Sequence, residues 1–143
     1  MTWMPCGTCR VKKRRSEAVL NTFLLSIGGF SVLLWGISHL FPTRSVVNGF
    51  GDISTDNRRI IFMEWIAEGL ALIFMGALVL AVTHFGDARS HTARIVFNAT
   101  SSALFAMAIL SLFTGARIKF LPYRLCPVIF TFSAVLIQLG ARL

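Results

Sequence analysis

Apolar residues fall into four long blocks, at about 18–41, 59–83, 93–114 and 122–141, separated by shorter polar stretches. They cluster rather than recur at a strand or helix period. Each block holds roughly 20 residues, which suits a hydrocarbon core of about 30 Å at 1.5 Å per helical residue. Unpaired strand edges cannot face lipid, so each block is predicted to be a helix. The short second and third connections make sequence neighbours antiparallel. The expected fold is all-α: an integral-membrane, up-down bundle of four transmembrane helices over 17–143, behind a basic tail over 1–16.

The first block is longer than the apolar core of a cleavable signal, about 7–15 residues, and ends in His39-Leu40-Phe41-Pro42 without a small-residue cleavage site. It reads as a retained anchor. Residues 42–58 read as a loop, because glycines and short polar residues supply turn chemistry there. Ser54, Thr55 or Asp56 is placed to cap the next helix. Gly115-Ala116-Arg117-Ile118-Lys119 begins a tight turn, and Pro122 suits the start of the fourth helix.

Composition agrees with this pattern. Of 143 residues, 55% are hydrophobic and 14% charged, against about 25% charged in a soluble domain. The net charge of +8 is read as membrane topology, not nucleic-acid binding. The cluster Arg10-Val11-Lys12-Lys13-Arg14-Arg15 immediately precedes a span, where each basic residue near anionic lipid headgroups contributes about 1 kcal/mol. With the N-terminus inside, that cluster joins Arg89, Arg94 and Arg142 on the inner side. Arg44, Arg58, Arg59, Arg117, Lys119 and Arg124 fall outside. The bias is small, but most of the inner charges flank the first span, which usually dominates orientation. Both termini are therefore expected in the cytoplasm.

Small residues mark packing faces: Gly28, Gly29 and Gly36 in the first span, Gly69, Gly76 and Ala77 in the second, and Ala99, Ser102, Ala103 and Ala106 in the third. They let helix backbones approach closely and carry no chemistry of their own.

Candidate chemistry centres on Glu64 and Glu68, four apart in the second span. An acid near the bilayer centre costs on the order of 2.5–3.5 kcal/mol by insertion scales. Glu68 lies roughly 12 Å into its helix, close to the midplane, with Glu64 nearer the outer surface. Desolvation and mutual repulsion both work against two charges there. The functional reading is a proton, cation or polar-ligand site inside the bundle. The structural readings are an acid that fixes helix packing, or one that meets a basic residue of a partner subunit or a second copy. His39 closes the first span at a depth expected to match Glu64, which makes an acid–imidazole pair between those two the natural expectation. Arg58 and Arg59, with Asp56, are the candidate charge partners above Glu64, and the two arginines also suit an anionic headgroup.

Cys6-Gly7-Thr8-Cys9 supplies half of a four-ligand zinc site, so Cys6 and Cys9 are weak metal candidates. The tail is too short to build the strand–helix context of a redox motif. His84, Asp87 and His91 share the inner loop and are read as solvated. Asn98-Ala99-Thr100 matches a glycosylation sequon but falls inside a span. No phosphate loop, H-E-x-x-H, nucleophile elbow or haem motif is present. The sequence leaves any cofactor open, and the reading leans away from an enzyme.

The first span closes with Leu33-Leu34-Trp35-Gly36-Ile37-Ser38-His39-Leu40-Phe41-Pro42. This ending, with four short spans in the chain, resembles the DoxX-like small membrane proteins. The resemblance covers one helix. It implies a bacterial inner-membrane protein with a redox-accessory role, and it transfers no catalytic residue. The leading functional expectation is an accessory or transport-type protein using Glu68, Glu64 and His39. The alternatives are a structural subunit that docks a larger membrane complex and a redox accessory using Cys6 and Cys9.

Overall fold

Backbone groups in hydrocarbon must find partners within their own segment, and a helix achieves this for an isolated apolar block. The computed structural model describes residues 7–115 and 121–143, with side chains from 15 to 115 and from 123 onward. Every long element among the described residues is helical: α1 (Gly7–Leu40), α3 (Thr55–Phe85), α4 (His91–Gly115) and α5 (Leu121–Arg142), with a short α2 (Thr43–Asn48) between the first two. Four of these helices are long and apolar enough to cross a membrane.

Two local features differ from expectation. The basic segment from Gly7 onward continues α1 as helix. The first loop also contains α2, whose Val46 and Val47 are buried. Its start is tied down where the Thr43 hydroxyl donates to the Leu40 carbonyl at 2.6 Å. Ser54 caps α3, its hydroxyl accepting from the Asn57 N–H at 3.2 Å. The cap starts α3 one turn before the predicted block.

α1 lies at the centre of the packing. It contacts α3 on one side and α5 on the other, while α4 packs chiefly on α5. α3 and α4 are consecutive but touch only lightly, so the spatial order is α3–α1–α5–α4. The α1–α3 interface follows a seam. The buried residues of α3 are Trp65, Gly69, Leu72, Gly76, Val79 and Thr83, alternately four and three apart. That heptad spacing belongs to helices crossing at a shallow angle with ridges in grooves. Glycines make the contact close. A Cβ on Gly76 would lie 2.7 Å from the Gly29 carbonyl oxygen, and one on Gly36 would lie 2.9 Å from that of Gly69. Gly28 and Gly140 similarly admit Ile137 and Leu25 at the α1–α5 interface.

Between these contacts lies an apolar core that includes Leu25, Val32, Leu72, Val79, Phe97, Leu104, Phe130 and Ile137. The hydroxyls of Ser101, Ser111 and Thr114 return to their own helix, donating to the carbonyls of Phe97, Met107 and Leu110. The predicted turn after Gly115 lies outside the described residues.

Candidate functional site

The α1–α3 register decides which polar groups meet. Gly29 opposite Gly76 and Gly36 opposite Gly69 bring the end of α1 alongside Trp65 and Glu68. At 100° per residue, Glu68 sits about 60° from the centre of the α3 seam and Glu64 about 100° away. Glu68 therefore borders the interface, while Glu64 points out of the bundle and is exposed.

His39 is the polar centre of the site. Its side chain is 3% exposed, and its Nε2 lies 3.5 Å from Oε2 of Glu68, which is 37% exposed. The expected His39–Glu64 pairing is replaced by His39–Glu68, one turn deeper. The reason is the glycine-set register, which places His39 between Trp65 and Glu68. Trp65 holds His39 twice, once at the ring and once at the backbone. Its indole stacks on the ring with centroids 4.0 Å apart and planes 15° apart. Its Nε1–H donates to the His39 carbonyl oxygen at 2.8 Å.

α5 closes the third side. Tyr123 meets Trp65 edge-on, with centroids 5.4 Å apart. Glu68 lies within electrostatic reach of both Tyr123 and Cys126. Among the described residues, two buried nitrogens here, Trp35 Nε1 and His39 Nε2, lack a well-aligned hydrogen bond. They are four residues apart on α1, so they lie on one face. A buried donor without a partner is costly. A proton shared with Glu68 would satisfy His39, and a small polar guest that accepts from the indole N–H would satisfy Trp35.

The remaining candidates are dispersed. Arg58 turns up into the loop, donating to Asn48 Oδ1 at 3.1 Å and to the Gly51 carbonyl at 3.3 Å, and not down to Glu64. Arg59 lies 4.0 Å from Asp56, with both side chains largely exposed. At the opposite end, Ser26 Oγ and His84 Nε2 are 3.1 Å apart, and the Arg89 N–H donates to Asp87 Oδ1 at 3.0 Å. Cys6 and the side chain of Cys9 lie outside the described residues, as do the side chains of Arg10 to Arg14. Among the described residues no three His, Cys, Asp or Glu side chains gather around a metal-sized space.

Trp65, Tyr123 and Cys126 were not singled out from the sequence. For Trp65 a signal existed, its heptad spacing with Leu72 and Val79. Tyr123 and Cys126 reach the site only because α5 packs on α1.

Comparison with protein families, with curated proteins and with solved structures finds no match for this chain. The fold defines its class directly: a small, all-helical integral membrane protein with four spans.

Proposed function

We propose that this is a membrane protein of accessory or transport type in which Glu68, with His39, accepts a proton or holds a cation or small polar ligand between α1, α3 and α5. The observation that carries the reading is the buried His39 Nε2, without an aligned hydrogen bond, 3.5 Å from a carboxylate near the middle of a 31-residue helix. An intramembrane acid beside a histidine is costly to maintain and has the composition of a proton relay. Infrared difference spectroscopy across a pH step, on the full chain in liposomes, tests this. A carboxyl band that disappears in Glu68→Gln and persists in Glu64→Gln is expected. Identical spectra for Glu68→Gln and wild type would overturn the assignment.

A second reading has its own observation. Glu64 is exposed on a side of α3 that also exposes Met63 and Ile60. A membrane subunit or second copy offering a basic residue there would neutralise it. Mass spectrometry of the protein purified in mild detergent separates the two. A stoichiometric partner lost in Glu64→Gln favours docking. A redox role for Cys6 and Cys9, with kinship to DoxX-like proteins, rests on the sequence resemblance alone.

We further infer a bacterial inner-membrane location with both termini cytoplasmic, supported by the charges flanking the first span. Single cysteines replacing Asp52 or Asp87, with native cysteines removed, test it in intact cells. Labelling at 52 alone is expected, and labelling at 87 alone reverses the orientation.

A further inference from the structure

At the end of the bundle away from the chain termini, a groove of about 380 Å³ is lined by Arg44, Val47, Asn48, Arg58, Arg59 and Phe62. Its three arginines come from two helices, Arg44 from α2 and Arg58 with Arg59 from the start of α3. No acidic side chain is among the described residues that line it. Arg58 is held in place, since two of its N–H groups are fixed by Asn48 and the Gly51 carbonyl. A guanidinium carries five donors, so Arg58 keeps several for a guest. Among the described residues, Arg44 forms no ion pair. Among the described residues, Arg59 pairs with the exposed Asp56 at 4.0 Å, a solvent-screened contact of little strength.

The groove is graded along the helix axis. Phe62 lies one turn beyond Arg58 and Arg59, about 5 Å closer to the hydrocarbon. Val47 is buried at the wall and Phe62 is partly exposed. A cationic rim above an apolar floor fits an amphiphile with an anionic head. It does not suit a free ion, which leaves the apolar part unused. Planar guanidinium groups bind phosphate oxygens in pairs, which favours a phosphate head.

We propose that this groove binds one anionic phospholipid, its phosphate held by Arg44, Arg58 and Arg59 and its first acyl carbons lying on Phe62 and Val47. The site is separate from Glu68 and does not depend on that reading. It gives α2 a role, because α2 supplies Arg44 and, through Asn48, orients Arg58.

Binding of short-chain phosphatidylglycerol to the full chain in detergent, followed by native mass spectrometry, tests the proposal. Short-chain phosphatidylcholine and inorganic phosphate serve as the comparison probes. The double variant Arg44→Gln/Arg59→Gln is informative because neither side chain holds the loop. Losing two headgroup contacts is expected to weaken phosphatidylglycerol binding by about thirtyfold. Phe62→Ala should weaken it too, while Arg89→Gln/Arg94→Gln at the other end should not. Unchanged binding in the double variant overturns the site. Equal affinity for phosphatidylcholine overturns the anionic headgroup. Inorganic phosphate binding as tightly as the lipid, with Phe62→Ala silent, overturns the lipid in favour of a free anion.

Discussion

Gly36 of α1 and Gly69 of α3 face each other so closely that a Cβ on Gly36 would stand 2.9 Å from the Gly69 carbonyl oxygen and 2.7 Å from the Ile73 nitrogen. Those obstacles are backbone and cannot rotate away. The second pair, Gly29 and Gly76, repeats the contact seven residues along each helix. A Cβ on Gly76 would stand 2.5 Å from the Leu33 nitrogen.

Gly76→Ala is therefore expected to destabilise the bundle by about 1–3 kcal/mol, the usual range for overpacking a tight interface. Gly36→Ala should act in the same direction. Ala71→Leu, on the exposed side of α3, should be near neutral. Reversible unfolding in mixed micelles measures all three. Equal stability of Gly76→Ala and wild type would show that the helices separate more readily than this geometry allows.

Trp65 donates its indole N–H to the His39 carbonyl near the end of α1 while stacking on the His39 ring. Trp65→Phe keeps an aromatic ring and deletes the donor, leaving the His39 carbonyl without its partner. A loss of about 1–3 kcal/mol is expected from an unmet buried group. Hydrogen exchange near the end of α1 should rise. A variant as stable as wild type would show that water reaches this carbonyl.

Glu68 and His39 are in contact and should couple. A double-mutant cycle with Glu68→Gln and His39→Gln is expected to give an interaction of about 0.5–3 kcal/mol. The parallel cycle pairing Glu64→Gln with His39→Gln should be additive within about 0.5 kcal/mol, because Glu64 faces outward. Coupling to Glu64 equal to that of Glu68 would contradict the register.

Ser54 caps the first turn of α3, the turn that carries Arg58. Ser54→Ala should cost about 1 kcal/mol, typical of a lost cap. Exchange at the Asn57 amide, its bonded partner, should quicken before any other part of α3. A cap effect confined elsewhere would count against the assignment.

The cap at Ser54 was legible in the sequence because capping chemistry is local. Glu68 was legible as an intramembrane acid, but its partner was not. Matching depths from the predicted helix starts paired His39 with Glu64. The structure starts α3 one turn earlier and sets the register by glycine contacts, so Glu68 takes that place.

What the sequence determined alone is the helical class, the number of spans and the short connections, since block length and backbone satisfaction in lipid leave little freedom. What tertiary structure decided is rotation, register and neighbours. Lipid is as apolar as the core, so a span apolar all round carries no hydrophobic signal for which face turns inward. Close contact between particular glycines supplies that choice. It turns Glu64 away from the bundle, sets Glu68 against His39, and lets α5 bring Tyr123 and Cys126 to the same place.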